Sequence, residues 1–116
     1  MRITSNDSQT DKAKLNNIEM QSVTLNLFGS IRYAAGVKEI ALEFPSGRTV
    51  YELLQLAADI YGKDFEGEVF LPDLIGLRDD LTIVVNGIIT EHSKVQSCKI
   101  EDKTIITLMP VFAGGG

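Results

Sequence analysis

The last seven residues, Pro110-Val111-Phe112-Ala113-Gly114-Gly115-Gly116, offer one group able to do chemistry. Three consecutive glycines bring no side chain, so the reactive function at this end is the terminal carboxylate. Without Cβ atoms they form a thin, flexible backbone, able to enter a cleft that would reject a bulkier chain. On residue type alone, the same glycines are also what a frayed terminus or a linker remnant looks like. What distinguishes the two is the sequence that leads up to them.

Other chemistry is sparse. His92 is the only histidine and has no second ligand or acid–base partner beside it, which reads as a surface residue rather than a catalyst. Cys98 is the only cysteine and lies in a polar stretch with no Cys or His at ligand spacing, so no metal site is expected. No phosphate loop, nucleophile triad or paired-carboxylate motif is present.

The chain has 116 residues, suited to one domain, and 44% of them are hydrophobic, enough for a core. A net charge of −5 argues against nucleic acid as a partner, because tracking phosphates needs a basic excess. No apolar run approaches the roughly 20 residues of a membrane span, and the start of the chain lacks the apolar core of a secretory signal. A single cysteine cannot form an internal disulfide, which makes the cytoplasm the expected compartment.

Residues 1–20 are polar and without periodicity, and are expected to be a disordered leader, with Met20 as a possible alternative start. Val23, Leu25 and Leu27 alternate with Thr24 and Asn26, as in a strand with one buried face. Ile40, Leu42 and Phe44 repeat the pattern. The short Gly29 to Gly36 connection between them predicts an antiparallel hairpin. Thr49-Val50-Tyr51-Glu52 is a capping box. Val50, Leu53, Leu54, Ala57, Ile60 and Tyr61 then fall on one helical face, and Gly62 closes the helix. Lys63 to Asp80 is a long connection, expected to carry a short helical turn or strand, with its apolar cluster Val69-Phe70-Leu71 covering one end of the core. Leu81, Ile83 and Val85 mark a third strand. Asn86-Gly87 is a two-residue hairpin signal, because both positions tolerate positive φ. Ile88-Ile89 starts a short return strand, Ser93 to Lys103 is polar, and Thr104 to Met109 is the last strand.

This order predicts an α+β domain over 21–110, with one main helix on one face of a mixed sheet and a flexible tail over 111–116. Connection rules put the last strand beside the first, in the middle of the sheet, and leave the second face bare.

The pattern resembles the β-grasp, ubiquitin-like sulfur carriers. Phe28-Gly29-Ser30-Ile31-Arg32-Tyr33-Ala34-Ala35-Gly36 is similar to the family's Phe-x-x-Leu-Arg-x-x-x-Gly segment after the first strand. Val84-Val85-Asn86-Gly87 is similar to its Val-Asn-Gly hairpin, and Ile105 to Gly115 to its apolar strand followed by Pro-Val-x-x-Gly-Gly. Within the family the small subunit of molybdopterin synthase is most alike, and the thiamine-pathway carrier, usually shorter, comes second. One glycine exceeds the family's terminal pair, so either Gly116 is the reactive end or it is trimmed to expose Gly115. The leader and the Lys63 to Asp80 connection also exceed the compact pattern.

The resemblance implies a protein that binds no cofactor. A ubiquitin-activating-type adenylyltransferase would spend ATP to adenylate the terminal glycine, a sulfur donor would convert it to a thiocarboxylate, and the molybdopterin synthase large subunit would receive the tail. Gly115 and Gly116 are then the reacting positions, with Ala113 and Gly114 in the partner's channel. Val111 and Phe112 either anchor the tail root against a partner or fold back on the core. Phe28, Val84 and Met109 have the strand phase of the uncovered face, where exposed apolar surface marks a docking site. Arg32 either meets an acidic partner, caps local carbonyls, or is simply solvated. Two other readings share the fold: a modifier that forms isopeptide bonds, and an interaction module whose tail is inert.

Overall fold

The computed structural model describes residues 19–111. Five strands form one mixed sheet. They are β1 (Met20–Leu27), β2 (Glu39–Pro45), β3 (Leu81–Val85), β4 (Ile88–Thr90) and β5 (Thr104–Pro110). Three α-helices, α1 (Gly29–Ala35), α2 (Val50–Tyr61) and α3 (Lys63–Val69), and a 3-10 turn at His92–Lys94 accompany them among the described residues. The strand order is β2-β1-β5-β3-β4. β5 therefore lies in the middle, parallel to β1 and antiparallel to β3.

Alternation decides the two faces. Val23, Leu25 and Leu27 of β1, Ile83 of β3, and Ile106 and Leu108 of β5 are buried on the side that carries α2. That helix begins at the capping box: the Glu52 N–H donates to Thr49 Oγ1 at 3.2 Å, and the Thr49 N–H donates to Glu52 Oε1 at 2.9 Å. Val50, Leu53, Leu54, Ala57 and Ala58 form its buried stripe. Ile60 does not belong to that stripe, being 53% exposed in the last turn. It lies at the stripe's margin, where Ala58 on the other margin faces the core instead.

The Gly29 to Gly36 connection is not a plain hairpin loop. β1 and β2 are antiparallel as expected, but α1 lies between them, with Ile31 as its buried residue. A helix of two turns that buries one side chain leaves no apolar period to read. The Lys63 to Asp80 connection carries the expected helical segment, α3, which buries Phe65 and Val69. Val69 and Phe70 do cover one end of the core, whereas Leu71 is exposed. No helix among the described residues is long and apolar enough to cross a membrane.

Asn86 and Gly87 turn β3 into β4 with φ of 49° and 85°. Asn86 also extends the β3–β5 ladder. Its N–H donates to Ile105 O and its side-chain Oδ1 accepts from the Ile105 N–H, both at 2.8 Å.

Candidate functional site

β5 brings Pro110 and Val111 to a defined place. Leu81 pairs with Pro110, and one residue further the Val111 N–H donates to the Asp80 carbonyl at 2.6 Å. On the other side the Phe28 N–H donates to Leu108 O at 3.1 Å. The Pro110 ring rests on Gly29, where φ is +59° and an added Cβ would stand 2.7 Å from Pro110 Cγ. Gly29 is thus required twice, for its backbone conformation and for the closeness of Pro110. Asp80 is held in turn by Arg78, whose guanidinium bridges both carboxylate oxygens and the Gly67 carbonyl.

Beside this exit lies the bare face of the sheet. Register places Phe28 next to Met109, because Leu27 pairs with Leu108 and Phe28 keeps extended φ and ψ. Met109 pairs with Thr82, Val84 with Thr107, and Ile89 with Val84. Phe28, Val84 and Met109 therefore do share one face, as their strand phase predicts. Phe28 is 51% exposed, while Val84 and Met109 are half-buried among Asn26, Thr82 and Thr107. Sequence reasoning missed two members, Ile105 (47% exposed) and Ile89 (74% exposed). The alternation that selected Met109 also selects Ile105. Acidic side chains mark the β2 margin, where Glu39 pairs with Asn26, and Glu43 accepts from Ser22 Oγ at 3.1 Å.

Arg32 is not on this face. It is exposed on α1, 6.0 Å over the Tyr33 ring. Val111 is 49% exposed and does not fold back into the core. Phe112, Ala113, Gly114, Gly115 and Gly116 lie outside the described residues, as does 1–18 of the expected leader.

His92 and Asp73 have structural partners. His92 is half-buried rather than a free surface residue, with Nε2 2.6 Å from the Leu81 carbonyl, an arrangement in which the ring nitrogen donates. Cys98 is half-buried in a groove of about 470 Å³ shared with Ile88, Ile89 and Lys94. No cluster of His, Cys, Asp or Glu suited to a metal occurs among the described residues. In the loop after α3, N–H groups of Ile75 and Gly76 donate to Asp73 Oδ1 at 2.8 and 3.0 Å, which lowers the Asp73 pKa.

The ThiS family model matches residues 25–115, from within β1 to Gly115. The chain belongs to the ThiS family. This ThiS-family chain has the fold shared by sulfur carriers and ubiquitin-like modifiers. It superposes on SAMP1 from Haloferax volcanii with a TM-score of 0.70, 21% identity, and coverage of 81% of this chain and 99% of that one. Small archaeal modifier protein 1 from Methanosarcina acetivorans gives 0.66 at 26% identity, covering 84% and 99%. A Pyrococcus furiosus protein assigned as molybdopterin converting factor, subunit 1, gives 0.62 at 26% identity, covering 79% and 99%. No curated protein sequence matches significantly.

Proposed function

We propose that this ThiS-family protein is a sulfur carrier for molybdopterin synthesis, working through its terminal glycine carboxylate. A carboxylate is a poor acyl donor because its leaving group would be oxide. A ubiquitin-activating-type adenylyltransferase transfers AMP from ATP to the glycine carboxylate and releases pyrophosphate. Sulfide then attacks the acyl carbon and expels AMP, leaving a thiocarboxylate. Glycine suits both steps because no side chain crowds the carbonyl. The protein itself contributes presentation, and the partner contributes the catalytic groups.

The observation that carries this reading is the exit of β5. Pro110 and Val111 are held on both sides where the strand leaves the sheet, directly beside a sheet face that carries Phe28, Val84, Ile105 and Met109 and is rimmed by Glu39 and Glu43. That pairing of a presented end with a docking surface suits a carrier handed between proteins, and the acidic margin suits a basic groove on them. Phe28, Val84 and Met109 would dock against the activating enzyme and the synthase large subunit. Val111 and Phe112 would anchor the tail root against the partner and Ala113 and Gly114 would occupy its channel, leaving Gly115 or Gly116 at the reacting centre. The Pyrococcus neighbour supports the molybdopterin pathway.

The test is the intact mass of the full chain after incubation with an activating enzyme, ATP and sulfide. A gain of about 16 Da, sulfur for oxygen at an accessible end, is expected. Loss of about 57 Da in addition places the reactive carboxylate on Gly115, since a terminal glycine exposed to solvent is open to trimming. No gain with a competent enzyme refutes the carrier. The small archaeal modifier neighbours favour a second reading, a protein modifier, which is distinguished by isopeptide conjugates of higher mass in cells.

A further inference from the structure

The tail root is held by Asp80, and Asp80 is held by Arg78. The Asp80 carbonyl receives the Val111 N–H at 2.6 Å, the last contact on the β3 side among the described residues. Arg78 grips the Asp80 carboxylate with two nitrogens, Nε to Oδ1 at 3.0 Å and Nη2 to Oδ2 at 2.8 Å. Its third nitrogen, Nη1, donates to the Gly67 carbonyl of α3 at 2.9 Å. The Arg78 main chain is anchored as well, its N–H donating to Val69 O at 2.9 Å. One guanidinium is thus a strut between α3 and the residue that receives the tail.

This strut is poorly placed to serve global stability. The Arg78 and Asp80 side chains are 39% and 46% exposed, and ion pairs that wet contribute little. A planar fork on a carboxylate does something else well, which is to fix orientation. We infer that Arg78 is a positioning residue for the tail: acting through Asp80, it fixes the point and direction at which the chain leaves the sheet. The inference rests on the carrier reading, because a tail that reacts inside a partner needs a fixed origin and an inert tail does not. Without the fork the Asp80 peptide keeps only its main-chain tie, the Leu81 N–H donating to Arg78 O at 3.1 Å, and the Val111 hydrogen bond opens more often.

Amide hydrogen exchange on the full chain reads this directly, using Arg78→Gln and the charge-retaining Arg78→Lys. In Arg78→Gln, exchange at Val111 is expected to rise about tenfold, with Ile106 and Leu108 unchanged, as for a local opening. Arg78→Lys is expected to behave like Arg78→Gln, because the fork rather than the charge is what orients Asp80. Unchanged exchange at Val111, a parallel rise at Ile106 and Leu108, or full retention in Arg78→Lys would each overturn the proposal. Adenylation of the tail by an activating enzyme is then compared between wild type and Arg78→Gln, and kcat/KM is expected to fall about tenfold, as for a misaligned reacting group. Equal kcat/KM overturns the positioning role. A wild-type chain that accepts neither AMP nor sulfur instead removes the carrier reading, while the exchange result at Val111 stands by itself.

Discussion

Replacing Gly29 with alanine would put a methyl group where the Pro110 ring stands. The added carbon would lie 2.7 Å from Pro110 Cγ and 3.1 Å from Cδ, and neither ring atom can rotate away. Two costs combine. An L side chain at a φ of +59° is disfavoured by about 1–2 kcal/mol. Forcing a methyl group into a filled space costs about 1–3 kcal/mol more. Gly36→Ala separates the two, because Gly36 has a φ of +81° with nothing within 4 Å of an added Cβ. Urea denaturation of both variants should therefore show Gly29→Ala less stable than Gly36→Ala by about 1–3 kcal/mol. In thermal melts that gap is about 4–8 °C per kcal/mol for a domain this size. Pro110→Ala in the Gly29→Ala background should recover most of the difference, since it removes the ring that clashes. If Gly29→Ala costs no more than Gly36→Ala, or if Pro110→Ala recovers nothing, the close seat of the tail root on α1 is wrong.

Three further outcomes are expected. Met109→Asp, on the bare face, should weaken capture of the activating enzyme at least about tenfold while shifting unfolding by no more than about 1 kcal/mol, and unchanged capture refutes docking there. Asn86→Ala should lower stability by about 1–3 kcal/mol in denaturant titrations, because the Ile105 N–H loses its acceptor and alanine must take a φ of 49°; a neutral effect refutes the ladder role. The Asp73 carboxylate, whose folded pKa is lowered, stabilises its loop above the ordinary carboxylate value and loses that effect as pH falls through the folded value. The Ile75 and Gly76 amide shifts should therefore titrate with a midpoint below about 3.9, and a midpoint at or above it refutes the two hydrogen bonds.

Much of this fold is written in local pattern. The period of two in Val23, Leu25 and Leu27 fixes both the strand and its buried face, and the same parity puts Phe28, Val84 and Met109 together on the other. Thr49 and Glu52 announce α2 because a capping box acts within four residues. The helix α1 escapes such reading because Ile31 is its one buried side chain, and a period needs repeats. Ile60 misleads for a related reason, since a stripe's margin in the last turn depends on what lies beneath it. The tail root is invisible to any window: Gly29 meets Pro110, and Arg78 and Asp80 meet Gly67 and Val111, only after the chain has folded. Nothing in the spacing of those residues marks them.

The central place of β5 also has a mechanical meaning. A partner that grips the chain's end and draws on it pulls along the strand axis. The load then falls on the β1 ladder, from Val23–Thr104 to Leu27–Leu108, and on the β3 ladder, from Leu81–Pro110 to Val85–Ile106. Those hydrogen bonds run across the direction of pull, so they resist in shear and together, where an edge strand pulled sideways would unzip one bond at a time. On the proposed carrier reading, an end drawn into a partner is thereby anchored at the middle of the sheet, by two ladders loaded together.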